Sequence, residues 1–192
     1  MTAIAELKAG RHTIHKVIIN NLGDRIIGID SIGDVFIWRY NLLTLRSNPS
    51  GILSRIEAVD LCFLSNSSSI AVLTKEGISC YDMLKLTGYV DHKTRRMDTF
   101  SGGTLIRYLP YSKNCLVICG KKSRVYLYNM TRKVRADRLD CGDAEILTCE
   151  TNPMGTIFAL GFSDGIVRVY DAKMRLMSEF DPFRRDGGKK TF

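Results

Sequence analysis

Short apolar runs alternate with turn-forming residues along most of the chain, and the clearest stretch lies near its C-terminal end. There, Ala144 to Thr151 is followed by Asn152-Pro153-Met154-Gly155, then by Thr156 to Phe162, then by Ser163-Asp164-Gly165 and by Ile166 to Asp171. The pattern predicts strand, turn, strand, tight turn, strand. Asn-Pro-x-Gly offers a preset φ followed by a residue tolerant of positive φ, and Asp-Gly between β-rich runs is a hairpin signal. Residues 157–162 are apolar at nearly every position, as in a strand covered on both faces, whereas 166–170 alternates, with Arg168 opposed to Val167 and Val169.

The same grammar occurs three more times. The first copy runs through Val17-Ile18-Ile19, Arg25 to Ile29 and Asp34 to Trp38, with turns at Asn20-Asn21-Leu22-Gly23 and Asp30-Ser31-Ile32-Gly33. A second spans Ala58 to Phe63, Ile70 to Leu73 and Ile78 to Asp82; a third spans Thr104 to Leu109, Cys115 to Gly120 and Arg124 to Asn129. Each third strand ends on an aromatic residue: Trp38, Tyr81, Tyr128 and Tyr170, recurring every 42 to 47 residues. Fourth, outer strands are expected at Leu42–Leu45, Leu84–Val90, Val134–Leu139 and Arg175–Phe180, with surface connections at 46–55 and 91–101. The four units then occupy about 12–45, 56–90, 103–139 and 144–180, within a segment 1–180 followed by a tail at 181–192.

This period and the aromatic position resemble the WD repeat, the four-stranded blade of a β-propeller. The expected fold is therefore all-β, a partial propeller of four WD-type blades. Arg39, Asp82, Asn129 and Asp171 follow the aromatics, so the Trp-Asp pair is imperfectly kept. The usual Gly-His before the first strand is missing, although His12 or His15 stands near that position in the first copy. An incomplete polar network leaves stability to apolar packing between blades, and Trp38, Tyr81, Tyr128 and Tyr170 are assigned to that packing. Propellers of this kind commonly close with more blades, so completion by further sequence or by a partner is expected.

Composition changes the picture only modestly. The chain is 45% hydrophobic and 25% charged, as soluble globular domains are. No apolar run approaches a membrane span and the start lacks a secretory pattern, which points to a cytoplasmic location. The six cysteines fall mostly inside apolar runs and read as reduced core thiols. Cys115 and Cys119, on one strand, would stand about 13 Å apart, too far for a disulfide or a shared zinc ion.

Charge is more informative. Of the 28 Lys and Arg residues, twelve fall in 93–138, where Asp98 and Asp137 are the only acidic residues. A basic sector results, and Lys121, Lys122, Arg124, Arg132 and Lys133 are its candidate partner-binding residues. An acidic protein, a peripheral membrane contact or nucleic acid would suit it. Nucleic acid is disfavoured, because no stacking aromatics interleave with the charges.

The succession His12-Thr13-Ile14-His15-Lys16, Asp30 to Val35, Val59 to Ile70 and Gly102 to Lys122 resembles the C-terminal propeller of DmX-like proteins, the rabconnectin and RAVE-complex family. That resemblance implies a scaffold that binds the V-type ATPase or its assembly factors and promotes vacuolar or endosomal acidification. A second resemblance, carried by Gly161-Phe162-Ser163-Asp164-Gly165, is to propellers of BEACH-type vesicle-trafficking scaffolds.

Catalysis is not indicated. His12, His15 and His92 are the residues able to act as bases near neutral pH, and none adjoins a nucleophile turn or a metal-ligand spacing. Gly102-Gly103 and Gly187-Gly188 precede no helical pattern, so a phosphate loop of the helix-terminal kind is not supported. No cofactor, small-molecule substrate or metal is expected.

Overall fold

A computed structural model describes residues 6–39, 48–64, 68–85, 88–90, 96–98, 102–111 and 115–182. All regular structure among them is β. The first sheet contains β1 (Ile14–Ile19), β2 (Arg25–Asp30), β3 (Val35–Arg39) and β4 (Gly51–Leu53); the second contains β5 (Ala58–Phe63), β6 (Ser69–Thr74) and β7 (Ile78–Asp82). Two three-residue strands follow, β8 (Gly88–Val90) and β9 (Arg96–Asp98). The third sheet is β10 (Gly103–Leu109), β11 (Cys115–Gly120), β12 (Arg124–Asn129) and β13 (Val134–Asp140). The fourth is β14 (Ile146–Thr151), β15 (Ile157–Phe162), β16 (Val167–Asp171) and β17 (Leu176–Phe180).

The third and fourth sheets are antiparallel meanders, with β13 and β17 where outer strands were expected. The first two sheets differ from expectation. Leu42–Leu45 lies outside the described residues, and the fourth strand of the first sheet is β4, inside the segment 46–55 expected as a connection. Among the described residues of Leu84–Val90, β8 is the strand, and it leaves its own unit to pair in parallel with β4, making the first sheet five-stranded. The second sheet is closed instead by β9, antiparallel to β7 and inside the expected loop 91–101. A strand edge offers backbone donors and acceptors to any nearby extended segment, so such pairing needs little side-chain pattern.

A shared irregularity marks the four sheets as copies of one unit. In each, the first strand is bulged against the second: between Ile14 and Lys16, Ala58 and Asp60, Gly103 and Leu105, and Ile146 and Thr148. One extra residue at the same register in every copy bends each first strand in the same way. The residue after the aromatic also has a common task where a carboxylate or amide stands there. Asp82, Asn129 and Asp171 accept backbone N–H bonds from Leu84, Arg132 and Lys173, closing the turn that follows the third strand.

Each successive pair of sheets shares one apolar core. Ile27, Ile29, Val35, Ile37 and Leu53 of the first sheet meet Leu61, Ile70, Val72 and Tyr81 of the second. Leu73 and Ile78 meet Ile106, Leu116, Ile118 and Tyr128 between the second and third. Leu109, Val117, Val125 and Leu127 meet Phe158, Leu160, Phe162 and Tyr170 between the third and fourth. Tyr81, Tyr128 and Tyr170 thus each pack toward the sheet that precedes their own. Trp38 has the same register position on the first sheet, against Ile26, and its ring stacks on Phe36 at 6.0 Å. At the two ends of the stack, Val17 and Ile19 on β1 and Val167 and Phe180 on the fourth sheet are exposed.

Candidate functional site

The charges of the third sheet fall at two edges and are handled differently. At the inner edge, Arg107 on β10 belongs to an alternating ladder that runs across the first strands of all four sheets: Lys16, Asp60, Arg107, Glu150. Asp60 is 1% exposed. Its Oδ1 accepts from Lys16 Nζ and the Leu61 amide, and its Oδ2 accepts from Arg107 Nη1 and the Ile106 amide, both at 2.9 Å. Those four donors saturate the carboxylate, which is the condition for keeping a charge dry. Arg107 also donates through Nε and Nη2 to Glu150 Oε1 at 3.1 and 2.7 Å. Burial works against its charged form, but the Glu150 hydrogen bond and the Asp60 charge outweigh it and hold the guanidinium firmly protonated.

The basic residues that the sequence singles out lie at two turns of the outer half of the sheet, and they form two groups. Lys121, Lys122 and Arg124 belong to the β11–β12 turn and the start of β12, whereas Arg132 and Lys133 occupy the β12–β13 turn at the opposite end. The length of β12 separates the two by about 17 Å. Beside Arg132 and Lys133, β13 is exposed along nearly its whole length. Lys and Arg on such a strand also discourage edge-to-edge pairing.

Around the β11–β12 turn the structure forms a cleft of about 480 Å3, lined by Gly102, Gly120, Lys121, Lys122, Arg124, Tyr126 and Arg135. The turn is fixed from both sides. Lys121 N–H donates to the Gly102 carbonyl at 3.1 Å, and the Ser123 carbonyl accepts from Cys141 N–H at 2.9 Å. The buried Ser123 hydroxyl donates to the Ala144 carbonyl. Lys122 and Ser123 are consecutive left-handed residues, with φ of 60° and 52°. Side chains other than glycine lose roughly 1–2 kcal/mol in that conformation, so the surroundings hold this turn in a costly shape.

Arg135 lies over the Tyr126 ring, 5.6 Å from its centre. Arg124 Nε is buried without a hydrogen-bond acceptor. Its described ion pair is a long one, 3.9 Å to Asp140, and Asp140 also faces Arg138 at 3.5 Å. Arg168 on the fourth sheet is a useful contrast, since its guanidinium bonds Glu179 at 2.7 Å and the Cys141 carbonyl at 2.8 Å. Sequence reasoning found Lys121, Lys122 and Arg124 but missed Tyr126, Arg135 and the whole inner ladder. The only sign of the ladder in the sequence is one charged residue inside each apolar first strand.

The remaining candidates have simpler settings. Trp38, Tyr81, Tyr128 and Tyr170 are all 9% exposed or less. Burial pushes the Tyr81 and Tyr170 hydroxyls up to about 12. His12 and His15 are exposed, and His92 lies outside the described residues. All six cysteines are free thiols. Burial raises Cys62, Cys80 and Cys141 above the usual thiol value, Cys80 to about 11, and a hydrogen bond with Cys149 together with burial raises Cys119, so these groups stay protonated and weakly nucleophilic at neutral pH. Among the described residues, no three His, Cys, Asp or Glu side chains converge as a metal site would require. No protein-family model matches the chain, and no curated protein matches it.

Proposed function

We propose that the four sheets are WD-type blades of a propeller segment and that the chain is a non-catalytic docking module whose basic edge receives an acidic protein partner. The exposed β13 edge, with Arg132 and Lys133 at its start and Arg135 and Arg138 along it, is the observation that carries this reading. The common first-strand bulge and the packing of each blade-closing tyrosine on the preceding sheet support the propeller assignment. Exposed Val17, Ile19, Val167 and Phe180 at the ends of the stack support completion by further blades or by a partner. The DmX-like resemblance makes the V-type ATPase and its assembly factors the partner to test first, in a cytoplasmic setting against endosomal or vacuolar membranes.

The test is binding of the full chain to the purified peripheral sector of a V-type ATPase across a salt series. Docking through the basic edge weakens steeply with salt and falls when Arg132→Glu and Lys133→Glu are combined. Salt-independent binding, or binding indifferent to those reversals, removes the basic edge as the contact. Absence of binding at low salt removes the ATPase assignment.

A further inference from the structure

The ladder on the first strands ends on an exposed carboxylate, and the outermost faces of the stack are apolar. We propose that a second copy of this chain meets both ends at once, head to tail, and closes a ring of eight sheets. The inference rests on the reading of the four sheets as propeller blades, and it names what completes them.

Lys16, Asp60, Arg107 and Glu150 alternate in sign, one to each first strand. The first three side chains are 20% exposed or less, whereas Glu150 is 69% exposed, and both bonds from Arg107 fall on its Oε1. Because the number of rungs is even, the ladder begins on a cation and ends on an anion. A fourth sheet set against the first sheet of another copy therefore brings Glu150 to Lys16 of the second copy with the sign that the series requires. Reach is adequate as well. Counted from the shared bulge, Arg107 lies two positions beyond Asp60 and still bonds it, and Glu150 lies two positions beyond Lys16 in the same way. The other pairings, first sheet on first or fourth on fourth, bring like charges together and are disfavoured.

The apolar surfaces agree with that direction. Val17 and Ile19 are 56% and 59% exposed, while Ile18 between them packs into the core shared with the second sheet. Their face of the first sheet is thus the one turned away from the second. On the fourth sheet, register places Glu150 beside Ala159 and Val169, and Val167 beside Phe180, on the face opposite Tyr170 and the core shared with the third sheet. Every junction inside the stack joins two apolar faces with an ion pair across the first strands, and the two end faces supply the halves of one more. Propellers commonly hold four to eight blades, so two copies of four sheets close within that range and three do not. An unclosed head-to-tail contact would grow a filament, whereas closure makes the second contact intramolecular and favours the ring.

Light scattering on the intact chain during size-exclusion chromatography, across a dilution series, tests the proposal: the wild type runs as a dimer and nothing larger. Two variants separate the faces. Val17→Glu with Ile19→Glu spoils the head, Val167→Glu with Phe180→Glu spoils the tail, and each alone weakens dimerisation about a hundredfold or more. Mixing the two restores a dimer, weaker than wild type, through the one contact whose faces are both intact. That rescue also shows that both variants are folded. Glu150→Gln on otherwise native faces weakens dimerisation about fivefold and flattens its salt dependence. A monomeric wild type overturns the proposal, and so does a wild type that grows into a filament. Loss of the dimer with only one of the two face variants means that a face pairs with its own kind, and it overturns the head-to-tail arrangement. Arg132→Glu with Lys133→Glu leaves the dimer within about twofold while abolishing docking to the ATPase sector, so this inference and the docking reading fail separately.

Discussion

Arg107 and Arg124 belong to one sheet, on strands β10 and β12, and their circumstances are opposite. Arg107 sits between Asp60 and Glu150 and spends its donors on them. Arg124 has a buried Nε without an acceptor and a single carboxylate 3.9 Å away that it shares. The difference separates two uses of positive charge. Charge that is partnered and dry fixes how neighbouring sheets align, because each rung of the ladder crosses from one sheet to the next. Charge whose described partner is distant and shared does little to fix that alignment.

Removing the central carboxylate tests the inner half of that comparison most severely. Asp60→Ala strands Lys16 and two amides and leaves Arg107 with Glu150 as its one carboxylate among the described residues, and a loss of roughly 3–5 kcal/mol is expected in urea unfolding. A loss under about 1 kcal/mol would show that the ladder is ornamental. Alkaline pH probes the same dry region through Cys62, two residues from Asp60, and through Cys80. Their native ionisation is raised by burial above the ordinary value of 9.0, so the unfolded state alone releases these protons just above that value. Stability is therefore full below pH 9 and falls as pH rises; at pH 10 the two thiols together cost about 3 kcal/mol. Denaturation midpoints that stay constant from pH 8 to 10 would contradict this.

Truncating one rung is milder. Arg107→Met leaves Asp60 with Lys16 and its two amides, and about 2 kcal/mol is expected from the same unfolding measurement. The outer edge should respond least. Arg124→Gln changes stability by less than about 0.5 kcal/mol by thermal denaturation, since its described ion pair is long and shared. A large loss there would make that arginine structural and erase the contrast.

Period, turn chemistry and apolar patterning made the three inner strands of every unit legible. Asp164-Gly165 and Asn152 to Gly155 name their turns, and runs such as Cys115 to Gly120 name a strand covered on both faces. Outer strands of the first two units were not legible, because β4 and β9 are three residues long and exist by pairing with an available edge. Arg96-Met97-Asp98 has no β pattern of its own. The ladder was hidden for another reason: Asp60 is an isolated charge in the sequence, and its partners Lys16 and Arg107 lie 44 and 47 residues away. The basic residues were found, but proximity in sequence merged Arg124 with Arg132, which a six-residue strand keeps apart.

The excursion of β8 sets an order for folding during synthesis. The third and fourth sheets each consist of one continuous stretch of chain, so each can close as soon as its own last strand is available. The first sheet cannot, because the partner that covers β4 is residues 88–90, which follow β7. The second cannot either, since β9 emerges later still. The N-terminal two sheets therefore mature together, only after residue 98 has left the ribosome, and the edge of β4 must stay unclaimed by other strands until then.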